Sequence, residues 1–157
     1  MDWYSFDRRK LLKPIEHVVE AAILRELELG NKLKICIGCD SQVKSNIIEF
    51  ATVIVVLREK KGGFIYYSMM KKNSKMTIKE RMIFEVGLSV QLAYQLCPIL
   101  DRYPIELEVH ADINTDPNFG SNIALREATG YILGMGYTFK AKPDAFASSY
   151  CADRLVH

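Results

Sequence analysis

Between Leu33 and Met70 the chain carries three runs of β-forming residues separated only by short polar turns, and nothing else in it restricts the fold so much. The first runs from about Leu33 to Cys39. The second covers Ile47 to Leu57, after a turn near Lys44-Ser45-Asn46. The third covers Phe64 to Met70, after the loop Arg58-Glu59-Lys60-Lys61-Gly62-Gly63. Strands joined this closely pair as antiparallel neighbours, because a parallel return needs a crossover of about a dozen residues or more.

Then the period changes. Thr77-x-x-Glu80 is a capping-box pattern that starts a helix at Ile78. Met82 to Leu96 is apolar on almost every side, so this helix should be buried against the sheet, with Pro98 helping to end it. Ile105 to Ile113 alternates: Ile105, Leu107, Val109, Ala111 and Ile113 on one face, Glu106, Glu108, His110 and Asp112 on the other. That is a fourth strand. A turn at Asn114-Thr115-Asp116-Pro117-Asn118 leads to a helix from about Ser121 to Leu133, then a fifth strand from Tyr137 to Lys140. A last helix opens at Pro143 or Asp144 and ends near Leu155. Ahead of the sheet, Ile15, Val18, Val19, Ala22, Ile23 and Leu27 recur at helical spacing between Pro14 and Gly30-Asn31.

The expected architecture is therefore α/β. A five-stranded mixed sheet, made of a three-strand antiparallel meander plus two parallel strands, is flanked by helices. Residues 1–31 form an N-terminal helical extension and 32–157 the core of a single domain. A chain of 157 residues with 49% apolar and 25% charged content can bury a sizeable core. Its net charge of +2 is too small to argue for nucleic acid, so that case rests on where the lysines lie.

The longest apolar run, Ala51 with Val53 to Leu57 around Thr52, is far too short to span a bilayer, and no secretory apolar stretch follows Met1. Four cysteines in that context point to reduced thiols in the cytoplasm. Cys36 and Cys39 have C-x-x-C spacing, but on a strand they face opposite ways and cannot clamp one zinc. Both read as core thiols. His17 reads as a surface or structural residue.

The acids carry the functional argument. In Lys34-Ile35-Cys36-Ile37-Gly38-Cys39-Asp40-Ser41-Gln42, an apolar β run ends on a carboxylate followed by small polar residues. Asp40 either opens a turn or is an acid delivered at a strand tip, as α/β enzymes hold a metal or a general base. The fourth strand ends the same way at Asp112. If the two strands are adjacent and parallel, with the long helix as crossover, both acids share one sheet edge. There they repel unless a cation lies between them, and a hard divalent ion, Mg²⁺ or Mn²⁺, suits carboxylate oxygens.

Glu85 adds a third acid on an apolar stretch of the long helix; the competing reading is an ion pair with Arg81, four residues back. The last helix offers Asp144 and Asp153. Asp144 stands at the helix start, where an N-cap role is the default, and near the same edge. Asp153 lies about 13 Å further along at the helical rise and about half a turn round, so helix geometry favours Asp144.

This order of elements resembles the ribonuclease H-like fold. More narrowly, the chain resembles the YkuK-like family of bacterial proteins, a ribonuclease H-like group. The matching segments are Ile37-Gly38-Cys39-Asp40-Ser41-Gln42, Arg81 with Glu85-Val86, His110 with Asp112-Ile113-Asn114, Gly134-Met135-Gly136-Tyr137, and Lys142-Pro143-Asp144-Ala145 with Ala152-Asp153. The resemblance implies an acid at the end of the first strand (Asp40), a Glu on the crossover helix (Glu85), and an acid after the fourth strand (Asp112). It places the fourth acid on the last helix, a slot that either Asp144 or Asp153 fills, and it favours Asp153.

In this topology Lys71, Lys72 and Lys75 follow the third strand, and Lys140 and Lys142 the fifth, all flanking the proposed site as a phosphate backbone would require. Ser41, Gln42 and Asn114 beside the acids are either phosphate, sugar or water contacts or turn formers. His110, two residues before Asp112 on the same strand face, is either a satisfied structural histidine or an aid that orients a ligand or shuttles a proton.

Three functional expectations follow. The first is a metal-dependent nuclease acting on RNA, DNA or a hybrid, with two ions about 4 Å apart. The second is a module on the same fold that binds nucleic acid or protein without turnover, its acids paired with Arg81 or lysines. The third, compatible with either, is assembly with a second copy through Trp3-Tyr4-Ser5-Phe6 and the N-terminal helix.

Overall fold

The computed structural model describes residues 1–113 and 122–157. The meander forms as its turns dictate. β2 (Leu33–Lys44), β3 (Ile47–Arg58) and β4 (Gly62–Asn73) pair antiparallel along their whole lengths. α2 (Ile78–Leu100) starts at the expected residue: the Thr77 hydroxyl accepts from the Glu80 amide at 3.1 Å, and the Glu80 carboxylate accepts from the Thr77 amide at 2.7 Å. It crosses over to β5 (Glu106–Ala111), which pairs parallel with β2. After α3 (Asn122–Gly134), β6 (Thr138–Lys140) pairs parallel with β5. A π-helical segment, Ala147–Ala152, runs into α4 (Asp153–Val156).

Two faces of the sheet are covered. On one, α1 (Ile15–Glu28) and α2 bury Val19, Ala22, Ile23, Val86, Leu92 and Leu96 against Ile35, Ile37, Ile54, Leu107 and Val109. By length and hydropathy α2 could cross a bilayer, but here it is the main cover of the sheet, and burial of that apolar surface is what holds it. On the other face the π-helical segment and α4 lay Ala147, Ala152 and Val156 over Cys36, Val53, Val55 and Tyr67. Cys36 and Cys39 fall in separate clusters on opposite faces, as the strand period requires.

Four expectations are corrected. Among the described residues the sheet has six strands, in the order β1-β4-β3-β2-β5-β6, not five. The extra strand, β1 (Trp3–Ser5), pairs antiparallel with Tyr66, Tyr67 and Ser68, where the β4 edge offers unpaired backbone groups. Trp3 is buried in the core of its own chain. The second correction concerns β2, which does not stop at Cys39. Ser41 and Gln42 pair with Phe50 and Glu49 of β3, so the turn-former alternative falls, while the turn itself lies at Ser45-Asn46, within the stretch expected for it. Third, Pro98 lies inside α2, which continues to Leu100. Finally, the last helix does not open at Asp144. The chain is still turning there, with the Asp144 amide bonded to the Ala141 carbonyl, and helix begins two residues later.

Candidate metal centre

Asp40 stands where β2 loses its parallel neighbour. Pairing of β2 with β5 ends at Cys39 and Ala111, while β2 runs on against β3 from Asp40 opposite Ala51. Asp112 follows β5 one residue beyond that last pair, so both acids occupy one sheet edge. Alternation along β2 turns Asp40 toward the face under the last helix and Ser41 toward α2. The Ser41 hydroxyl there donates to Glu85 Oε1 at 2.5 Å. Below the sheet, Asp153 opens α4. A carboxylate oxygen of Asp153, one of Asp40 and a ring nitrogen of His157 all lie within 4.8 Å of one another, and His157 Nε2 is 3.1 Å from Asp153 Oδ1. Asp112 Oδ1 accepts from the Ser149 hydroxyl at 2.8 Å and pairs with Lys142 Nζ at 2.9 Å.

Burial and mutual repulsion set the protonation of these acids. Asp40 is pushed up to about 6, first by burial and then by the neighbouring Asp112 and Asp153, against the pull of the Ser41 amide. Glu85 is pushed up to about 8, again by burial foremost, with Asp40 and Asp112 adding to it and the Ser41 hydroxyl and Arg81 opposing. Arg81 therefore acts on Glu85 at a distance: no ion pair between them forms among the described residues.

The family model described as Ribonuclease H-like matches residues 16–157. The chain belongs to the ribonuclease H-like family. No curated protein matches it. Among solved structures it is similar to RNase H1 from the halophilic archaeon Halobacterium salinarum NRC-1. The identity is 12% over 77% of this chain and 98% of that one, with a TM-score of 0.40. It is also similar to the N-terminal RNase H domain of a Mycobacterium tuberculosis protein, solved as a fusion with maltose binding protein. There the identity is 11% over 80% and 94% of the two chains, and the TM-score is again 0.40.

In this ribonuclease H-like domain Asp40 and Asp153 bring carboxylate oxygens within 4.8 Å of each other, and Asp112 and Glu85 lie near enough to Asp40 to interact with it electrostatically. Asp144 stands apart: it is exposed in the turn before the π-helical segment and has no part in the group of Asp40, Asp153 and His157. The choice between Asp144 and Asp153 turned on an ideal α-helix beginning at Asp144, and the helix that forms begins later and contains a π segment. The donor set suits a hard divalent cation. Its carboxylate oxygens are hard ligands, joined by the His157 ring nitrogen, and burial first, then the neighbouring acids, holds Asp40 and Glu85 above their usual range. The buried Oε1 of Gln42, two residues beyond Asp40 on the same strand face, has no hydrogen-bond partner among the described residues. Asp40, Glu85, Asp112 and Asp153 would hold Mg²⁺ or Mn²⁺.

The remaining candidates are spread more widely. Lys71 pairs with Glu49 at 2.9 Å, and Lys72 Nζ lies 4.4 Å from the centre of the Phe84 ring. Lys75 is exposed past the end of β4, and Lys140 is half-buried at the end of β6. Lys142 is taken up by Asp112. Asn114 lies outside the described residues. His110 is buried: its Nδ1 accepts from the Ala147 amide at 3.2 Å, and its Nε2 is 2.9 Å from Glu108 Oε2. Two residues at the site escaped sequence reasoning. His157 stands four residues after Asp153, a helical pair spacing that could have shown it. Ser149 gave no such signal.

Proposed function

We propose that this domain is a metal-dependent phosphodiesterase that hydrolyses RNA, DNA or a hybrid of the two, in the YkuK-like branch of its family and in the cytoplasm. The observation that carries the reading is the meeting of Asp40, from mid-sheet, with Asp153 from the last helix, with Glu85 and Asp112 close by, a crowding that retained protons or a bound cation must offset. When bound, the cation supplies Lewis acidity toward a phosphodiester oxygen and the attacking water. The chain's own groups do the rest. Ser41 orients the Glu85 carboxylate, Ser149 fixes one oxygen of Asp112, and His157 steadies Asp153. Lys75 and Lys140, at the ends of β4 and β6, would track the phosphate backbone.

A second reading is a module that binds nucleic acid without turnover. One observation favours it: Lys142 and Ser149 already satisfy Asp112 from within the chain. A second copy, if it docks on the N-terminal segment, would meet the exposed Phe6 and not Trp3.

Thermal unfolding with and without Mg²⁺ or Mn²⁺ separates these readings. A cation at about a hundred times its Kd stabilises the fold by about 2.7 kcal/mol. The enzyme reading expects that gain in the wild type, its loss in the Asp40→Asn, Asp112→Asn double variant, and cleavage of RNA, DNA or hybrid that needs the metal. No gain in the wild type, with a double variant more stable than the wild type, would put the binding module first.

A further inference from the structure

A second buried polar group lies under the π-helical segment, next to the acids but not among them. Cys36, Glu108 and His110 bring a thiol, a carboxylate oxygen and a ring nitrogen within 4.8 Å of one another. The trio has the makings of a soft-metal site, but its bonds are already used. Burial and Glu108 push the Cys36 thiol up to about 12, far from the thiolate a metal requires. Both nitrogens of His110 are engaged. Since Nδ1 accepts from the Ala147 amide, the ring proton sits on Nε2 and is donated to Glu108, whose other oxygen is 3.1 Å from Lys34 Nζ. The result is a continuous chain, Lys34–Glu108–His110–Ala147.

The place where this chain ends gives it meaning. His110 of β5 lies beside Gly38 of β2 in the parallel register. A Cβ on Gly38 would come within 2.5 Å of the Ser148 nitrogen and 2.6 Å of the Ala147 carbonyl carbon. Gly38 thus lets the segment settle onto the sheet, and His110 holds its first amide. The Phe146 ring packs edge-to-face with the imidazole, with ring centres 4.9 Å apart. From that fixed start the segment carries Ser149 to Asp112 and Asp153 to Asp40.

We propose that Glu108 and His110 are positioning residues that, through the Ala147 amide, set the distance between Asp153 and Asp40. They touch no substrate. The role in metal binding rests on the reading of the four acids as a cation site; the anchoring of Ala147 does not.

The experiment uses the full chain and three variants: His110→Phe, which keeps a ring and loses both bonds; His110→Asn, whose side-chain oxygen can still accept from Ala147; and Glu108→Gln. Two quantities are read: Mn²⁺ affinity by calorimetry, and exchange protection of the Ala147 amide in metal-free protein by NMR. His110→Phe should weaken Mn²⁺ binding by about tenfold or more and speed Ala147 exchange by a similar factor without losing the cooperative melt. His110→Asn should recover most of both, and Glu108→Gln should fall between. Affinity and exchange within about twofold of wild type in His110→Phe would overturn the proposal. If His110→Phe does not fold, His110→Asn decides: protection kept at Ala147 supports the anchor, protection lost overturns it. If the wild type binds no Mn²⁺, the cation reading fails, and the anchor stands or falls on Ala147 exchange alone.

Discussion

Glu85 makes the metal-free protein sensitive to pH in a direction opposite to that of an ordinary surface carboxylate. Its pKa rises from an ordinary 4.5 in the unfolded chain to about 8 in the fold. Between those values the folded state keeps a proton that the unfolded state has released, so stability falls as pH rises. The stabilising contribution is fully present below 4.5 and is lost progressively as pH climbs through about 8. Each pH unit inside that window removes about 1.4 kcal/mol, so the step from pH 5 to pH 7 removes about 2.5 kcal/mol on account of Glu85. Asp40, raised to about 6, acts in the same direction and adds about 1 kcal/mol over the same step. For a domain of this size, the Glu85 part corresponds to a fall in Tm of about 5 to 10 °C. The assay is calorimetric melting in chelator at several pH values, for the wild type and Glu85→Gln. The variant should melt higher than the wild type at pH 7 and show only the shallower slope left by Asp40. A wild-type Tm that is flat across that range, or a variant with the same slope, would refute the placement of Glu85 as a buried acid among acids.

Three further outcomes follow from the structure. Gly38→Ala should lower stability by about 1–3 kcal/mol, as overpacking does, and should abolish any Mn²⁺ binding, read by urea unfolding and calorimetry. Trp3→Ala should lower stability by about 3–5 kcal/mol, because Trp3 is part of the core rather than a free aromatic; urea unfolding measures it. If the domain binds RNA or DNA, replacing Lys75 and Lys140 by Gln should flatten the plot of log affinity against log salt by about one to two units, measured by fluorescence anisotropy across a salt series.

Much of this fold was legible because it is set locally. The meander follows from short turns, the start of α2 from Thr77 and Glu80, and the inward face of β5 from strict alternation. What escaped depends on partners distant in sequence. Ser41 and Gln42 lie beyond the strand end expected at Cys39, because nothing nearby shows that β3 continues opposite them. Three residues of β1 are too few to display a period, and the strand exists because β4 has a free edge. Asp40, Glu85 and Asp112 were readable as strand-end and helix acids. The choice of Asp153 over Asp144 was not readable from geometry, since it depends on a segment whose start is fixed by Gly38 and His110 on two other strands. Glu108 had been placed on the polar face of its strand, yet that face is roofed by the last helix, and its polar groups are buried together.

The last helix also gives the site a history in time. Asp40, Glu85 and Asp112 belong to a sheet and a crossover helix that can assemble before residues 147–157 have left the ribosome, since domains form from the N-terminal side as they are made. Until then the face of Cys36, Val53, Val55 and Tyr67 stays bare. Two forces meet when that segment arrives: covering the face draws it in, and bringing Asp153 beside Asp40 pushes it away. The crowding of acids is thus deferred until residues 147–157 dock on a sheet that has already formed.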